Sequence, residues 1–232
     1  MTLDRSLIAG LPAFAGLSAD DLDAILASAR SSRFPRDSEI FAQGADAQQF
    51  FLLLSGHVRV VRATPEGEQV IARYINEGEL LGIAVAMGSS TYPASAIAAV
   101  DCVVLAWPNA VWPELRSRVP AFGANAYQTL GNRLQETQAR VVEMSTQQVE
   151  QRIASAVLRL VAQAGRKTAE GIEIDFPISR QDIAEMTGST LHTVSRLLSA
   201  WEDQGFVRSG RKKVTVTDPH ALMLVAEARR GR

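Results

Sequence analysis

The chain has 232 residues, 47% of them hydrophobic and 21% charged, which excludes intrinsic disorder and a fibrous repeat and allows one large domain or two modest ones. The formal net charge is −1, from 24 Lys/Arg against 25 Asp/Glu, so the chain as a whole is no polycation. The charge is unevenly spread: from Val149 onward 13 Lys/Arg face 10 Asp/Glu, and the remainder holds 11 against 15. Cys102 is the only cysteine, which rules out an intrachain disulfide and an iron–sulfur cluster held by four thiolates of one chain, and fits a reducing cytoplasm.

No apolar stretch approaches the roughly 18 residues of a membrane span, so no membrane association is expected. Leu7 to Leu17, with Ala13-Phe14-Ala15 as its cleavage site, resembles a short signal-peptide core. Against that, Asp4 offsets Arg5 and Pro12 interrupts the run. Ser18-Ala-Asp-Asp21 reads as the N-cap and acidic first turn of a helix ending near Ala29. From Phe34 to Trp107 short strands alternate with turn punctuation at Gly44, Ser55-Gly56, Thr64-Pro-Glu-Gly67, Glu77-Gly78 and Gly88-Ser-Ser90, the pattern of a sandwich or roll. Phe50 to Leu54 is a continuous apolar run suited to burial. His57 to Arg62 alternates, with Val58 and Val60 on one face and His57 and Arg59 on the other. Pro65 and Gly67 fit a tight turn leading into a strand at Gln69–Ile75.

A long helix is predicted from Arg116 to about Ser145. Tyr127, Leu130, Leu134, Thr137, Val141 and Met144 recur along it at intervals of 3, 4, 3, 4 and 3 residues, an a/d seam. Arg133, Gln135, Glu136, Gln138 and Arg140 keep the other faces polar, and a stripe this narrow suits pairing with an identical helix. A helix at Val149–Gln163, a charged loop at Gly165–Gly171 and a short strand at Ile172–Phe176 follow.

The C-terminal part reads as helix, tight turn, helix and hairpin. Ser179 is an N-cap with Asp182 three positions on, the first helix runs to Thr187-Gly188, and Thr190 caps a second helix, Leu191 to Asp203. Val194, Leu197, Leu198 and Trp201 form its apolar face; His192, Ser195 and Arg196 lie opposite, where a major groove would be met. Val207, Val214 and Val216 frame a basic hairpin, Arg208-Ser-Gly-Arg-Lys-Lys213. Arg180 and the Arg211, Lys212, Lys213 cluster supply cations for phosphates, and Ser189, Thr190 and Thr193 supply hydroxyls at the helix start.

Ser179-Arg-Gln-Asp-Ile-Ala-Glu-Met-Thr-Gly188 followed by Thr190-Leu-His-Thr-Val-Ser-Arg196 resembles the winged helix of the CRP/FNR superfamily of bacterial transcription regulators. Phe41-Ala-Gln-Gly44, Phe51 to Val60 and Tyr74-Ile-Asn-Glu-Gly78 resemble that family's jelly-roll sensor, and the heptad stretch resembles its dimerisation helix. In overall wording the chain is most similar to the nitrite and nitric oxide reductase (NnrR-like) regulators. The resemblance implies an α+β fold in three parts: a jelly-roll sensor with an N-terminal helix at 1–115, a dimerisation helix at 116–147 and a winged helix-turn-helix at 148–232. It also implies a cytoplasmic homodimer on double-stranded DNA, with RNA polymerase as a further partner. Ser195-Arg196 stands where TTG-reading members have Ser-Arg, which implies an inverted repeat of the form TTG…CAA, and His192 stands where the family commonly has Glu.

For the sensor, the resemblance nominates Val60, Arg73, Gly82, Ile83, Val85, Met87, Tyr92 and Ser95 as the effector pocket. Cyclic-nucleotide members carry Gly-Glu and then Arg-Ser/Thr-Ala. Here Ile83 follows Gly82, Tyr92-Pro-Ala-Ser-Ala96 occupies the arginine segment, and Asp101 is the only charged residue between Leu80 and Trp107. That departure removes the phosphate's cation and argues against a cyclic nucleotide, with Arg73 read as an exposed strand arginine. Haem, the cofactor suggested by NnrR-like relatives, would sit against Ile83, Val85 and Met87, but His57 shares a face with Arg59 and is expected to point to solvent, and Met87 and Cys102 read as core residues. A jelly-roll enzyme acting on a small molecule and a ligand-binding module for a protein partner are the competing readings. The chain shows no nucleophile–base pair for the first, and the helix-turn-helix with Arg196 speaks against the second.

Overall fold

A computed structural model describes residues 4–228; the ends of the first and last expected domains, 1–3 and 229–232, lie outside the described residues. The chain divides into two compact units, one reaching to Glu136 and the other starting at Thr137, with Gln69–Ile71 grouped with the second.

In the first unit, 3-10 turns at Arg5–Leu7 and Pro12–Phe14 precede α1 (Ala19–Leu26). Ser18 caps α1 reciprocally: its Oγ accepts from the Asp21 amide at 3.2 Å, and the Asp21 carboxylate accepts from the Ser18 amide at 3.0 Å. α1 stops at Leu26, short of the expected Ala29, because the chain turns there to enter β1 (Arg30–Phe34). Then come β2 (Glu39–Phe41), β3 (Gln49–Ser55), β4 (Val58–Ala63), β5 (Gln69–Ile75), β6 (Leu80–Leu81), β7 (Ser95–Ala98) and β8 (Cys102–Pro108). They form two antiparallel sheets, β1-β8-β3-β6 and β2-β7-β4-β5. The Gly67 amide donates to Thr64 O at 3.0 Å, closing the expected turn between β4 and β5.

β3 explains its own unbroken apolar sequence. Phe51 and Leu53 join Val58, Ala96, Ala98, Val104 and Ala106 in a core between the two sheets. Phe50 and Leu52 point the other way, into a second core with α1, Trp107, Trp112 and Phe122. A strand covered on both faces has no polar positions to alternate. The Trp107 indole in that second core donates to Ile25 O at 2.8 Å.

The helix expected from Arg116 is two helices, α2 (Trp112–Arg118) and α3 (Pro120–Thr146). Pro120 brings no amide hydrogen and forces Val119 out of the helical region, to φ −127 and ψ 75, so the break falls there.

In the second unit α4 (Val149–Ala164) buries Ile153, Ala154, Ala156, Val157 and Leu160. The charged segment expected as a loop is instead β9 (Gly165–Thr168), paired with β10 (Gly171–Ile174). Gly171, at φ +145, permits the tight return, and β10 ends at Ile174, two residues before the expected end at Phe176. α5 (Arg180–Thr187), α6 (Leu191–Asp203), β11 (Val207–Gly210), β12 (Lys213–Val216) and α7 (Pro219–Glu227) complete the unit, whose sheet runs β11-β12-β10-β9. This is the expected α+β architecture. Among the described residues no helix is long and apolar enough to cross a membrane.

Two glycines separate backbone strain from steric conflict. Gly67 sits at φ +87 with open space around a would-be Cβ, whereas Gly56, at φ +99, would place that Cβ 2.6 Å from Asp101 O and 2.9 Å from Cys102 Sγ. Gly67→Ala is expected to cost about 1 kcal/mol from strain alone. Gly56→Ala is expected to cost at least about 3 kcal/mol, because neither the Asp101 backbone nor the buried thiol can withdraw. Urea-denaturation midpoints check this; equal losses at the two sites would contradict it.

Candidate nucleic-acid interface

Local sequence builds the helix pair. Ser179 Oγ accepts from the Asp182 amide at 3.0 Å while Asp182 accepts from the Ser179 amide at 2.6 Å, so α5 starts at Arg180. Gly188 ends it in the left-handed region at φ 59 and ψ 43, a conformation that costs glycine nothing. Thr190 Oγ1 accepts from the Thr193 amide at 3.2 Å and lies 2.9 Å from Thr193 Oγ1, starting α6. Val194, Leu197, Leu198 and Trp201 are buried, and Trp201 donates to Glu150 Oε1 at 3.2 Å. This anchoring turns His192 and Arg196 outward: both are exposed and have no hydrogen-bond or ion-pair partner among the described residues. Ser195, Thr193 and Ser189 are half-buried, and Thr190 is exposed.

The hairpin cations divide into two groups. Lys213 Nζ lies 2.6 Å from Glu173 Oε2 on β10, and Arg166 Nη2 is 3.0 Å from the other oxygen of the same carboxylate. Arg166 also meets Asp175 at 2.8 Å, and these two carboxylates push its pKa further up. Arg208 pairs with Glu170. Lys213, expected as a phosphate partner, is therefore already held by a mostly buried carboxylate. Arg211 and Lys212 are exposed at the hairpin tip, where Lys212 takes φ 58 and its carbonyl accepts from the Ile178 amide at 3.1 Å. Arg180 Nη2 donates to Ser209 Oγ at 3.2 Å, and Ser209 donates through its amide and hydroxyl to the two oxygens of Glu202, each at 3.1 Å. That relay ties the start of α5 to the hairpin and to α6. A shallow concavity of about 410 Å³ runs between them, lined by Ser179, Arg180, Gln181, Leu191, Gly210, Arg211 and Lys212. Gln181 escaped the sequence reading; its place beside the helix N-cap and opposite a basic hairpin is the signal that marks it.

Residues 31–118 match the cyclic nucleotide-binding domain model and residues 151–225 the Crp-like helix-turn-helix domain model. A cyclic AMP receptor protein of Thermus thermophilus is 30% identical over 217 residues, which cover 94% of this chain and 97% of that protein. The chain belongs to the CRP/FNR family of DNA-binding transcription regulators. A global nitrogen regulator of Synechocystis is 29% identical over 82% of this chain and 85% of that protein. The structure of FixK2 from Bradyrhizobium japonicum superposes with a TM-score of 0.76 at 20% identity, covering 87% of this chain and 98% of that one, a likeness of fold. The homologues of this CRP/FNR protein are regulators rather than enzymes, and they fix its family, not its branch.

The sensor residues of this CRP/FNR chain do not converge on one space. Gly82 and Tyr92 do meet: a Cβ on Gly82 would lie 3.3 Å from the Tyr92 ring, 3.1 Å from Phe41 and 3.2 Å from Phe51. Phe41 and Tyr92 stack with centroids 4.0 Å apart, and the Tyr92 hydroxyl donates to Gln49 O at 2.6 Å, so aromatic rings fill that corner. Burial raises the Tyr92 pKa. Ser95 Oγ accepts from the Gln43 amide at 2.9 Å. Val60 packs at the core between the sheets, whereas Ile83 and Val85 belong to the core with α1. Met87 is 51% exposed. His57, expected to face solvent, is half-buried, with Nδ1 3.1 Å from Asn76 Oδ1. These residues do not fit a haem: Ile83 and Val85 pack into the α1 core while Met87 is exposed, and the histidine is engaged by Asn76. No cluster of three or more His, Cys, Asp or Glu fit for a metal occurs among the described residues.

Arg73 also departs from its expected exposed position. Its side chain is 16% exposed and lies 3.3 Å from both Glu79 and Glu136, while Arg133 on α3 lies 3.5 Å from the same Glu79 oxygen. Burial, reinforced by the neighbouring Arg73 charge, lowers the Arg133 pKa to about 10. The partners of Arg73 come from the turn after β5 and from α3, which is why reading it as an ordinary exposed strand arginine misplaced it.

On α3 the seam positions are unevenly covered. Leu134 and Val141 are each 60% exposed, Met144 57% and Tyr127 43%. Thr137 is exposed, and Leu130 is half-buried against the α1 core of its own unit.

Proposed function

We propose that the protein acts as a cytoplasmic homodimer, paired along the α3 seam, that reads an inverted repeat of the form TTG…CAA with two copies of α6. The observation that carries this reading is the split of α6 between a buried apolar face and an outward face bearing the side chains of Arg196 and His192, which have no partner among the described residues. Arg196 presents two donors to guanine O6 and N7, and Ser195 stands by the thymines. His192 removes the carboxylate that would accept from cytosine N4; neutral imidazole keeps one acceptor nitrogen, so that base pair is read less strictly. Ser189, Thr190 and Thr193 meet phosphate at the N-terminus of α6, and Arg180, Arg211 and Lys212 meet it from α5 and the hairpin. Lys213 serves the hairpin through Glu173 instead. The two-fold axis of the dimer sets half-site centres about one helical turn apart.

We infer also that no cyclic nucleotide switches this regulator, although one relative is named a cyclic AMP receptor protein. Arg73 and Arg133 already share Glu79, and Arg73 also holds Glu136, so a phosphate would have to displace a carboxylate. The NnrR-like wording supports response to nitric oxide or redox state, with RNA polymerase as the partner on DNA.

Selection from random duplexes tests the operator reading. Wild type is expected to enrich the inverted repeat, and Arg196→Ala to lose about 1–3 kcal/mol per half-site together with its guanine preference. Lys212→Ala is expected to weaken all sequences alike and lower the salt slope by about one, with Lys213→Ala changing that slope less. A non-palindromic wild-type site, or an unchanged guanine preference in Arg196→Ala, would contradict the reading. Titration calorimetry with cyclic AMP is expected to show no micromolar binding; a micromolar constant would mean that the Arg73–Arg133 group opens to phosphate.

A further inference from the structure

The second unit contains an arginine cluster that base and phosphate contacts leave unused. α3 ends at Thr146 and α5 at Thr187, and carbonyls at a helix C-terminus lack an intrahelical donor and carry partial negative charge. Arg152, in the first turn of α4, reaches both ends at once. Its Nη1 donates to Gln147 O at 3.0 Å, just past α3, and its Nε donates to Thr187 O at 3.1 Å, the last residue of α5. It has no carboxylate partner among the described residues, so these carbonyls are what it binds. Further along α4, Arg159 Nη1 holds both oxygens of Glu143 on α3, at 2.7 and 2.9 Å. Met144, the last seam residue, places its terminal methyl 3.1 Å from where a Cβ on Gly188 would be, directly over the turn between α5 and α6. The cavity left within this cluster is about 30 Å³, room for about one water, so the joint is nearly closed.

We propose that Arg152 is a positioning residue for DNA recognition, which sets the half-site spacing the dimer accepts by clamping the helix-turn-helix to the last turns of α3. This rests on the dimer and inverted-repeat reading above. When two chains pair along α3, the separation of their α6 helices depends on how each α6 is held to its own α3. A planar guanidinium bridges two carbonyls with donors that diverge at a fixed angle, and an ammonium on a flexible stem does not. Lysine at this position therefore keeps the charge and loses the geometry. Glu143–Arg159 is the second strut of the same joint.

The test is selection by the full-length protein from duplexes carrying two fixed TTG and CAA half-sites with spacers of varied length, beside melting curves for each variant. Wild type is expected to enrich one spacer. Arg152→Lys and Arg152→Ala are expected to keep the guanine preference within each half-site while the preference for that spacer falls about tenfold or more, the equivalent of one lost charge-assisted hydrogen bond. Glu143→Gln, which leaves Arg152 in place, is expected to relax spacing in the same direction and serves if the Arg152 variants melt too low to assay. Variants that fold and select the wild-type spacer as sharply as wild type would overturn the proposal. A wild type that enriches no paired half-sites would overturn the dimer reading beneath it.

Discussion

An apolar stripe that its own chain does not bury governs this molecule. Leu134, Val141 and Met144 each leave more than half of their surface in water along α3. Burying one leucine completely is worth roughly 1.5–3 kcal/mol, so a partner that covers the stripe gains several such increments over a narrow, straight contact. Lysines and glutamates would have kept those positions wet at no cost. Leu130 shows the limit of the stripe, since it is half-buried against its own core, and the largest exposure begins at Leu134.

In the proposed dimer, the second unit converts such a contact into a placement of α6. Its spine is α4, whose buried face carries α5, α7 and β10, and the Trp201 indole on α6 is bonded to Glu150 at the start of that spine. Arg152 and the Glu143–Arg159 pair then join α4 and α5 to the last turns of α3. Each joint is a charge-assisted bond to a group that would otherwise lack a donor or a counter-ion, and such bonds hold an angle better than apolar packing does. In the hairpin the same economy appears, with Glu173 fixing Lys213 and leaving Arg211 and Lys212 exposed.

Features written in consecutive residues were legible in the sequence. The limits of α6 follow from Thr190 and the spacing of Val194, Leu197, Leu198 and Trp201, and α5 follows from Ser179, Asp182 and Gly188, because caps and periodicity act within a few residues. The Pro120 break was readable too, but the heptad spacing from Tyr127 onward drew the predicted helix back through it. β9 was hidden because Arg-Lys-Thr has no apolar alternation and its order comes from pairing with β10. The ion pairs were hidden for a deeper reason. Arg73, Glu79, Arg133 and Glu136, like Lys213 and Glu173, meet only after distant segments have packed, so Arg73 read as an exposed strand arginine and the basic cluster made Lys213 available to DNA.

In the proposed assembly two copies pair in parallel along the α3 seam and bind DNA in that state. In such a pairing, identical seam positions face each other at a separation that a disulfide can span. Cys102 is buried, and burial pushes its thiol pKa up, so it stays out of the reaction. Oxidation of Leu134→Cys is expected to give a covalent dimer that still retards the selected inverted repeat, whereas Ala139→Cys, on the opposite side of α3, stays uncrosslinked. Absence of cross-linking at position 134, equal cross-linking at 139, or a covalent dimer that no longer binds the repeat would contradict the account.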